Sequence, residues 1–224
     1  MLQDTIFSEG EGDAWFKRNR EPYDPELDPV FSGLVSQAIE PRDILEIGAS
    51  RGDRLDALHT HYHANVTAVD PSAVAMADGR KTFPYIQFFA ATASSLPLPS
   101  QTFDLVIASF VFHWIDRKSL LLSAAEIDRV LKPEGHLLIG DFAPFSPNKV
   151  RYHHRLDVEM YTYKQDYSGL FLATAGYVTI AQQILDHQSL KCVPNIPEHE
   201  RFSITLLRKV TGGIYALYGE SGQD

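Results

Sequence analysis

The sequence has few of the features that mark secreted, zinc-binding or membrane-spanning chains. Its single cysteine, Cys192, excludes both an internal disulfide and a cysteine-rich zinc site. No apolar stretch is long enough to cross a bilayer, and residues 1–5 lack the basic and apolar regions of a secretory leader. These absences favour a reducing compartment, and we expect a cytoplasmic protein with no membrane partner.

Positive charge is also scarce, with 20 lysines and arginines against 29 acidic residues and a formal net charge of -9. Nucleic-acid affinity depends on basic side chains that displace counterions, so we expect no nucleic-acid partner. The content of 44% hydrophobic and 22% charged residues is that of an ordinary globular protein. A chain of 224 residues can close one core, and we predict a single domain over residues 1–224.

Strand-like and helix-like segments alternate in the first two thirds of the chain. Short apolar runs predict strands at 43–47, 66–69, 85–90, 103–109 and 136–141. Between them, Ser72 is a candidate cap for a helix at 73–79, and residues 119–131 have an apolar helical stripe. This order predicts a doubly wound, Rossmann-like α/β fold with a mainly parallel sheet and helices on both faces.

The regions outside this core are less regular. Residues 1–28 show no clear period and are interpreted as a loosely structured arm, which is followed by a helix capped by Asp28 and begun by Pro29. We assign 1–40 to the arm and helix, 41–142 to a cofactor-binding core and 143–176 to a substrate-side insertion expected to be helical. Residues 177–224 carry the last strands.

The strongest chemical signal is the segment 46–52, EIGASRG, set between a strand and a helix, with Asp70 ending the next strand. Gly48 and Gly52 let a backbone approach a ligand closely, and the helix start offers free N–H groups. A carboxylate about twenty residues beyond such a turn accepts hydrogen bonds from ribose hydroxyls. The pattern therefore predicts a ligand that contains a nucleoside.

The glycine spacing distinguishes between nucleoside ligands. A dinucleotide fingerprint requires glycines where Ser50 and Asp53 stand, and the Asp53 carboxylate would repel a pyrophosphate. An oxidoreductase that uses NAD or FAD is therefore the disfavoured rival.

The acid-x-Gly-x-x-x-Gly form instead resembles motif I of the class I S-adenosylmethionine-dependent methyltransferases. Three further blocks, SLPLP at 95–99 followed by FDLV, FHW at 112–114 and RVLKPEG at 129–135, are similar to the small-molecule group of methyltransferase type 11 and ubiquinone-biosynthesis-like enzymes. The resemblance runs from Ile44 to about Phe142. Outside it the chain matches only in general layout.

The resemblance implies a seven-stranded sheet whose last strand is antiparallel, S-adenosyl-L-methionine as cofactor, S-adenosyl-L-homocysteine as product, and direct in-line transfer to a small-molecule metabolite. One position departs from the group's pattern, because Thr92 offers a hydroxyl where an acidic residue usually accepts a bond from the adenine amino group. The cofactor-binding residues implied are Glu46, Gly48, Ala49, Gly52, Asp70, Pro71, Thr92, Ala93, Ser109 and Phe110.

A general base is optional for such a transfer, and His113 and Asp141 are the candidates because both follow strands at the carboxyl edge of the sheet. His113 can equally be a packing residue. The candidate substrate-binding or lid residues are Trp15, Arg18, His113, Tyr152, His153 and Tyr163. The tyrosines either line a pocket or join the insertion to the sheet, and both interpretations stay open.

No metal site is expected, because adjacent residues on a helix, such as His153 and His154, point in different directions and no third ligand is near in the sequence. A non-enzymatic alternative is a protein that binds S-adenosylmethionine on the same fold for regulation. The acceptor atom, whether oxygen, nitrogen or carbon, and the oligomeric state are left open by these motifs.

Overall fold

The computed structural model describes residues 3–212 and 214–215, and a seven-stranded sheet runs through them in the order β3-β2-β1-β4-β5-β9-β8. A separate two-stranded hairpin, β6–β7, stands beside it. The strands are β1 (Asp43–Ile47), β2 (Asn65–Asp70), β3 (Gln87–Ala90), β4 (Phe103–Ser109), β5 (Leu131–Phe142), β6 (Asn148–Arg151), β7 (Tyr161–Lys164), β8 (Tyr177–Asp186) and β9 (Arg201–Lys209). Residues 1–2 and 216–224, at the two ends of the predicted domain, lie outside the described residues.

Seven α-helices surround the sheet within the described residues. They are α1 (Gln3–Ile6), α2 (Gly12–Arg18), α3 (Pro29–Val35), α4 (Asp53–Tyr62), α5 (Ala73–Thr82), α6 (Leu120–Val130) and α7 (Gly169–Leu172). A π-helical turn, Phe7–Glu11, joins α1 to α2, and a 3₁₀ turn, Phe112–Trp114, follows β4. None of these helices is long and apolar enough to cross a membrane.

Two predicted helix starts are confirmed by their caps. The Asp28 carboxylate accepts a hydrogen bond from Val30 N at 2.9 Å, with Pro29 in the first turn of α3. The Ser72 hydroxyl accepts one from Ala75 N at 3.0 Å at the start of α5. Each cap satisfies a backbone N–H that has no partner inside the helix.

The central strand β4 is buried on both faces, as its unbroken apolar run predicts. Leu105 and Ile107 pack into the cluster that contains α3, α4 and α5, whereas Val106 and Ala108 pack into the opposite cluster, which contains α6 and α7. The predicted sheet with helices on both faces is therefore confirmed.

The direction of the last strand is also confirmed. Strands β1 to β5 pair in parallel, and β9 pairs antiparallel with both β5 and β8. Residues 132–135 leave the β4–β5 ladder, because pairing passes from Phe103 with Leu131 directly to Leu105 with His136. This interruption falls on Lys132-Pro133-Glu134-Gly135, the second half of the RVLKPEG block.

The prediction of a loosely structured arm is wrong for residues 3–18, which form α1, the π-helical turn and α2. Tertiary contacts hold these short segments: Ile6 and Phe16 are buried, and Asp13 accepts hydrogen bonds from Ser72 Oγ and Val74 N at the start of α5. Sequence periodicity fails here because helices this short depend on packing for their stability.

The helical interpretation of the 143–176 insertion is wrong for residues 148–164, although the short helix α7 lies near its end. Residues 148–164 form the antiparallel hairpin β6–β7, in which Lys149 pairs with Tyr163 and Arg151 with Tyr161. His153 and His154 lie in its connecting loop rather than on a helix. Tyrosine and threonine favour a half-buried pleated surface, which explains strand β7, and β6 is defined by its pairing with β7.

Candidate functional site

The strand order reverses between β1 and β4, and ligands of open α/β sheets bind at this point beyond the carboxyl ends of the strands. Two cavities meet there. We call the one that reaches Asp70 the β2-side cavity, and the one that reaches Phe142 the β5-side cavity. The residues that line both are Trp15, Gly48, Ser109, Phe110 and Trp114.

The turn after β1 requires its two glycines. Gly48 has φ 72°, and a Cβ on it would lie 2.5 Å from Val111 Cγ2. Gly52 has φ 91°, and a Cβ there would lie 3.0 Å from Ile86 Cδ1. A larger residue would be strained at both positions. Because glycine has no side chain, the backbone of this turn can approach a ligand closely.

Asp70 ends β2 beside this turn. Its carboxylate accepts hydrogen bonds from Ser50 N and Ser72 N, each at 2.8 Å, which fixes its orientation. Burial raises the pKa of the Asp70 carboxyl to about 6, although the two backbone donors act in the opposite direction. Each oxygen retains acceptor capacity for a ligand.

Glu46, on β1, belongs to a buried ionic cluster. Arg54 of α4 donates hydrogen bonds to one oxygen of Glu46 and, at 2.6 Å, to Asp28. Burial raises the pKa of the Glu46 carboxyl, and Arg54 opposes that rise. The second oxygen, Oε2, is buried and has no hydrogen-bond partner among the described residues, while Glu46 lines the β5-side cavity. A ligand that donates a hydrogen bond would satisfy this atom.

The β2-side cavity is mostly apolar. Asp4 and Asp70 are the carboxylates of its lining, and Thr92 contributes a hydroxyl. Asp4 and Phe7 reach it from the N-terminal segment, whereas Asp70 lies at the sheet. Its other lining residues are Gly12, Trp15, Ile47, Gly48, Pro71, Ala91, Ala93, Ser109, Phe110, Val111, Trp114 and Ile115. A flat apolar group flanked by polar ends suits such a cavity.

His113 and Asp141, predicted as separate candidates, form one buried pair. His113 Nδ1 lies 2.9 Å from Asp141 Oδ1, and Asp141 also accepts hydrogen bonds from His113 N and Phe142 N. His113 lines the β5-side cavity. When a carboxylate holds Nδ1–H, the other ring nitrogen, Nε2, is a proton acceptor.

The structure brings the predicted cofactor-binding residues together. All of them except Gly52 line one or both cavities, and Gly52 shapes the turn beneath. Thr92, the position that departs from the family pattern, has its hydroxyl 3.1 Å from Ser94 Oγ.

The predicted substrate residues divide into two groups. Trp15, His113 and His153 line the β5-side cavity. Arg18, Tyr152 and Tyr163 do not line either cavity, and the Tyr152 hydroxyl instead bonds to Glu11 and Arg18, which joins the hairpin to the N-terminal helices.

Sequence analysis missed several lining residues, namely Asp4 and Phe7 in the β2-side cavity and Arg151, Lys164 and His187 in the β5-side cavity. They lie outside the recognised motifs, at positions that meet only through the tertiary fold. The basic side chains in the 143–176 insertion were the one available signal, because this segment was assigned to the substrate side.

Comparison with known families matches the central part of the chain, which carries part of the site. Residues 45–139 match the family described as "Methyltransferase domain". Among curated relatives, the malonyl-[acyl-carrier protein] O-methyltransferase of Halorhodospira halophila is 27% identical over 128 residues, which are 55% of this chain and 43% of that protein. The ubiquinone/menaquinone biosynthesis C-methyltransferase of Teredinibacter turnerae is 28% identical over 134 residues, 59% of this chain and 52% of the relative. The chain thus spans about half the length of these relatives.

Solved structures share the fold over most of the chain. The 1,6-didemethyltoxoflavin-N1-methyltransferase of Burkholderia thailandensis, with bound 1,6-didemethyltoxoflavin and S-adenosylhomocysteine, has a TM-score of 0.66 at 18% identity. The match covers 92% of this chain and 85% of that one. At this identity the likeness establishes the common fold alone.

Proposed function

We propose that this chain, which carries a methyltransferase domain over residues 45–139, transfers the methyl group of S-adenosylmethionine to a small-molecule acceptor. The observation that carries the proposal is the convergence of Asp70, the Gly48 turn and the unpaired oxygen of Glu46 at the switch point of the sheet.

The residues present fit the two ends of this cofactor. The ribose diol offers two donors, and the Asp70 carboxylate has an acceptor site left on each oxygen after its two backbone bonds. The ammonium group of the methionine part is a donor that would satisfy Glu46 Oε2. Apolar lining residues such as Pro71, Ala93 and Ile115 suit the faces of an adenine ring.

The bound cofactor supplies a methyl group activated by a sulfonium centre. The contribution of the protein is to hold the acceptor in line with that group, and such positioning can provide roughly 7 to 11 kcal/mol. Both cavities reach Ser109 and Phe110, so an acceptor in the β5-side cavity would meet the cofactor there.

His113 is the proposed general base, and Asp141 is its positioning residue. With Nδ1–H directed at Asp141, His113 can take a proton from the acceptor through Nε2. Such a base contributes about 10²- to 10⁴-fold where the acceptor must lose a proton. This buried pair favours an enzyme over the purely binding protein that the sequence left as an alternative.

The β5-side cavity, with a volume of about 690 Å³, supports a small-molecule acceptor. Pockets for small ligands commonly have volumes of about 300 to 1,000 Å³.

Titration calorimetry with S-adenosylhomocysteine tests the cofactor assignment. Asp70→Ala removes both proposed ribose contacts, and we expect affinity to fall by about a hundredfold. Asp157→Ala, which removes an exposed carboxylate in the hairpin loop, is the matched control and should bind like the parent protein. Equal affinity of Asp70→Ala and the parent protein would refute the proposal.

A further inference from the structure

Charge is segregated along the β5-side cavity. The carboxylates Glu21, Glu46 and Asp53 line its end near the glycine turn, together with Arg54, which is paired with Glu46. At the other end, the titratable groups of the lining are all basic, namely His113, Arg151, His153, Lys164 and His187. The lysine and arginine of this end, Lys164 and Arg151, carry its positive charge in a chain whose net charge is -9, and Asp141 and Glu200 lie beside the histidines.

His113 is paired with Asp141 and His187 lies 3.6 Å from Glu200, whereas Lys164 and Arg151 have no carboxylate within 4.0 Å among the described residues. Lys164 Nζ donates to the carbonyl of His199 at 3.2 Å, and Arg151 donates to the carbonyls of Leu156 and Val158. Burial lowers the pKa of the Lys164 ammonium, although Glu200 and Asp141 act against this. A partly desolvated cation bonded only to neutral groups can gain from a ligand that brings negative charge.

Aromatic rings form the adjoining wall. The ring of Phe142 lies 5.6 Å from that of Phe110 and 5.0 Å from that of His187, measured between centroids. Lys164 Nζ lies 3.8 Å from the centre of the Phe142 ring. A flat apolar body can pack on these rings while its charged group meets Lys164.

We infer that the methyl acceptor is an aromatic anion, with its ring against Phe110 and Phe142 and its negative group beside Lys164. The inference rests on the proposed function, because it assigns the substrate class of the same site. The reacting atom of this anion would lie near His113, between the cations and the cofactor-binding turn.

Calorimetry on the complex with S-adenosylhomocysteine provides the test, with benzoate as the anionic probe and benzamide as its neutral counterpart. We expect benzoate to bind at least about tenfold more tightly than benzamide. Lys164→Met should remove about tenfold of that preference. The control is Lys149→Met on the same hairpin, which changes a lysine that does not line the cavity and should leave the preference unchanged.

Equal affinities for the two probes, or no saturable binding of benzoate, would overturn the inference. The proposed function fails separately, since it requires S-adenosylhomocysteine to bind before either probe is added. A preference that survives in Lys164→Met would also contradict the role assigned to this residue.

A second inference comes from the β2-side cavity and concerns Asp4. Its carboxylate accepts hydrogen bonds from Asp116 N at 3.0 Å, from Ser119 Oγ at 2.6 Å and from Ser94 Oγ at 3.2 Å. The Ser94 hydroxyl is in turn 3.1 Å from that of Thr92. A carboxylate has about four acceptor sites, so one site of this oriented group remains for a ligand.

We propose that Asp4 accepts a hydrogen bond from the exocyclic amino group of the adenine. It would thereby supply, from the N-terminal segment, the carboxylate that the 91–93 segment lacks. This proposal rests on the proposed cofactor and is independent of the acceptor.

S-Inosylhomocysteine, which has a carbonyl oxygen in place of that amino group, tests the role of Asp4 in calorimetry. The parent protein should prefer S-adenosylhomocysteine by at least about tenfold. Asp4→Asn should lose most of this preference, because an amide can donate to the carbonyl. Glu9→Gln, which changes an exposed acid of the same segment, should retain it. If Asp4→Asn weakens both ligands equally, Asp4 only anchors the segment and the proposal is wrong.

Discussion

At Asp70, burial and hydrogen bonding oppose each other, and this balance predicts a pH dependence. Its pKa in the folded protein is about 6, against 3.8 for the ordinary carboxyl. Only the ionised carboxylate accepts from both ribose hydroxyls, so we expect affinity for S-adenosylhomocysteine to fall as the pH falls through about 6. Calorimetry between pH 5 and 8, a range chosen to bracket about 6, measures this, and Asp70→Asn should lose that component of the dependence.

The raised pKa of Asp70 has the opposite pH dependence for the folding stability of the ligand-free protein. Because the folded state binds this proton more tightly than the unfolded state, the contribution of Asp70 to stability is present below pH 3.8 and is lost as the pH rises to about 6. An affinity for S-adenosylhomocysteine that does not change as the pH falls through about 6 would contradict the assignment of Asp70 to the ribose.

The buried ionic cluster around Arg54 predicts that changing this one residue lowers the stability of the protein strongly. Arg54→Met leaves the buried carboxylates of Glu46 and Asp28 without their cation, and breaking a buried pair in this way costs about 3 to 5 kcal/mol. Urea unfolding measures the loss. The control is Arg20→Met, which breaks an exposed pair with Asp78 and should cost no more than about 1 kcal/mol. Equal losses in the two variants would show that the cluster is not a special source of stability.

At the same scale, residues inside one contiguous motif were predictable. Glu46 lies on β1, Gly48 follows that strand and Asp70 ends the adjacent strand β2, so their sequence positions imply their proximity. Asp4 and Lys164 carry no such signal, because each reaches its cavity from an element whose position depends on contacts distant in the sequence.

Among the elements, the N-terminal helices depend most on a few long-range contacts. Gln3 is buried, its side-chain amide donates to the carbonyls of Trp114 and Tyr161, and its amide oxygen accepts from Tyr161 N. These bonds join α1 to the turn after β4 and to the hairpin. The position of the N-terminal segment at the β2-side cavity therefore depends mainly on hydrogen bonds to residues distant in the sequence.

Gln3→Ala should release this segment without unfolding the sheet. We expect faster amide hydrogen exchange over residues 3–18 and a weaker affinity for S-adenosylhomocysteine, since Asp4 and Phe7 would no longer be held at the cavity. The control, Ser8→Ala, removes only an exposed local bond to Asp4 O and should leave exchange unchanged. Unaltered exchange in Gln3→Ala would contradict this account of the segment.

The hairpin β6–β7 illustrates why the 143–176 insertion was misinterpreted. Its strands have four residues each, too few for a clear alternation in the sequence, and their pairing is what defines them.

The role of the N-terminal segment as a lid stays a prediction.

On the scale of the whole molecule, the seven-stranded sheet and the family resemblance are confirmed. Cofactor binding should then stabilise the entire domain by mass action. At about 100 times the Kd, S-adenosylhomocysteine should add about 2.7 kcal/mol to the free energy of unfolding. Urea unfolding measures this gain, NADH serves as the control ligand, and stabilisation by NADH alone would instead support the oxidoreductase. The cytoplasmic location and the absence of a nucleic-acid partner stay predictions.

The sequence by itself determined the alternation of strands and helices along the core, the parallel direction of the core strands, the caps at Asp28 and Ser72, and the glycine turn with its carboxylates. These features depend on interactions between near neighbours and on apolar patterns that leave few ways to bury a sheet. Only the tertiary structure decided that His113 meets Asp141, and that the N-terminal helices and the hairpin line the cavities. Those contacts join residues far apart in the chain, and their short elements gain stability only when packed against the sheet.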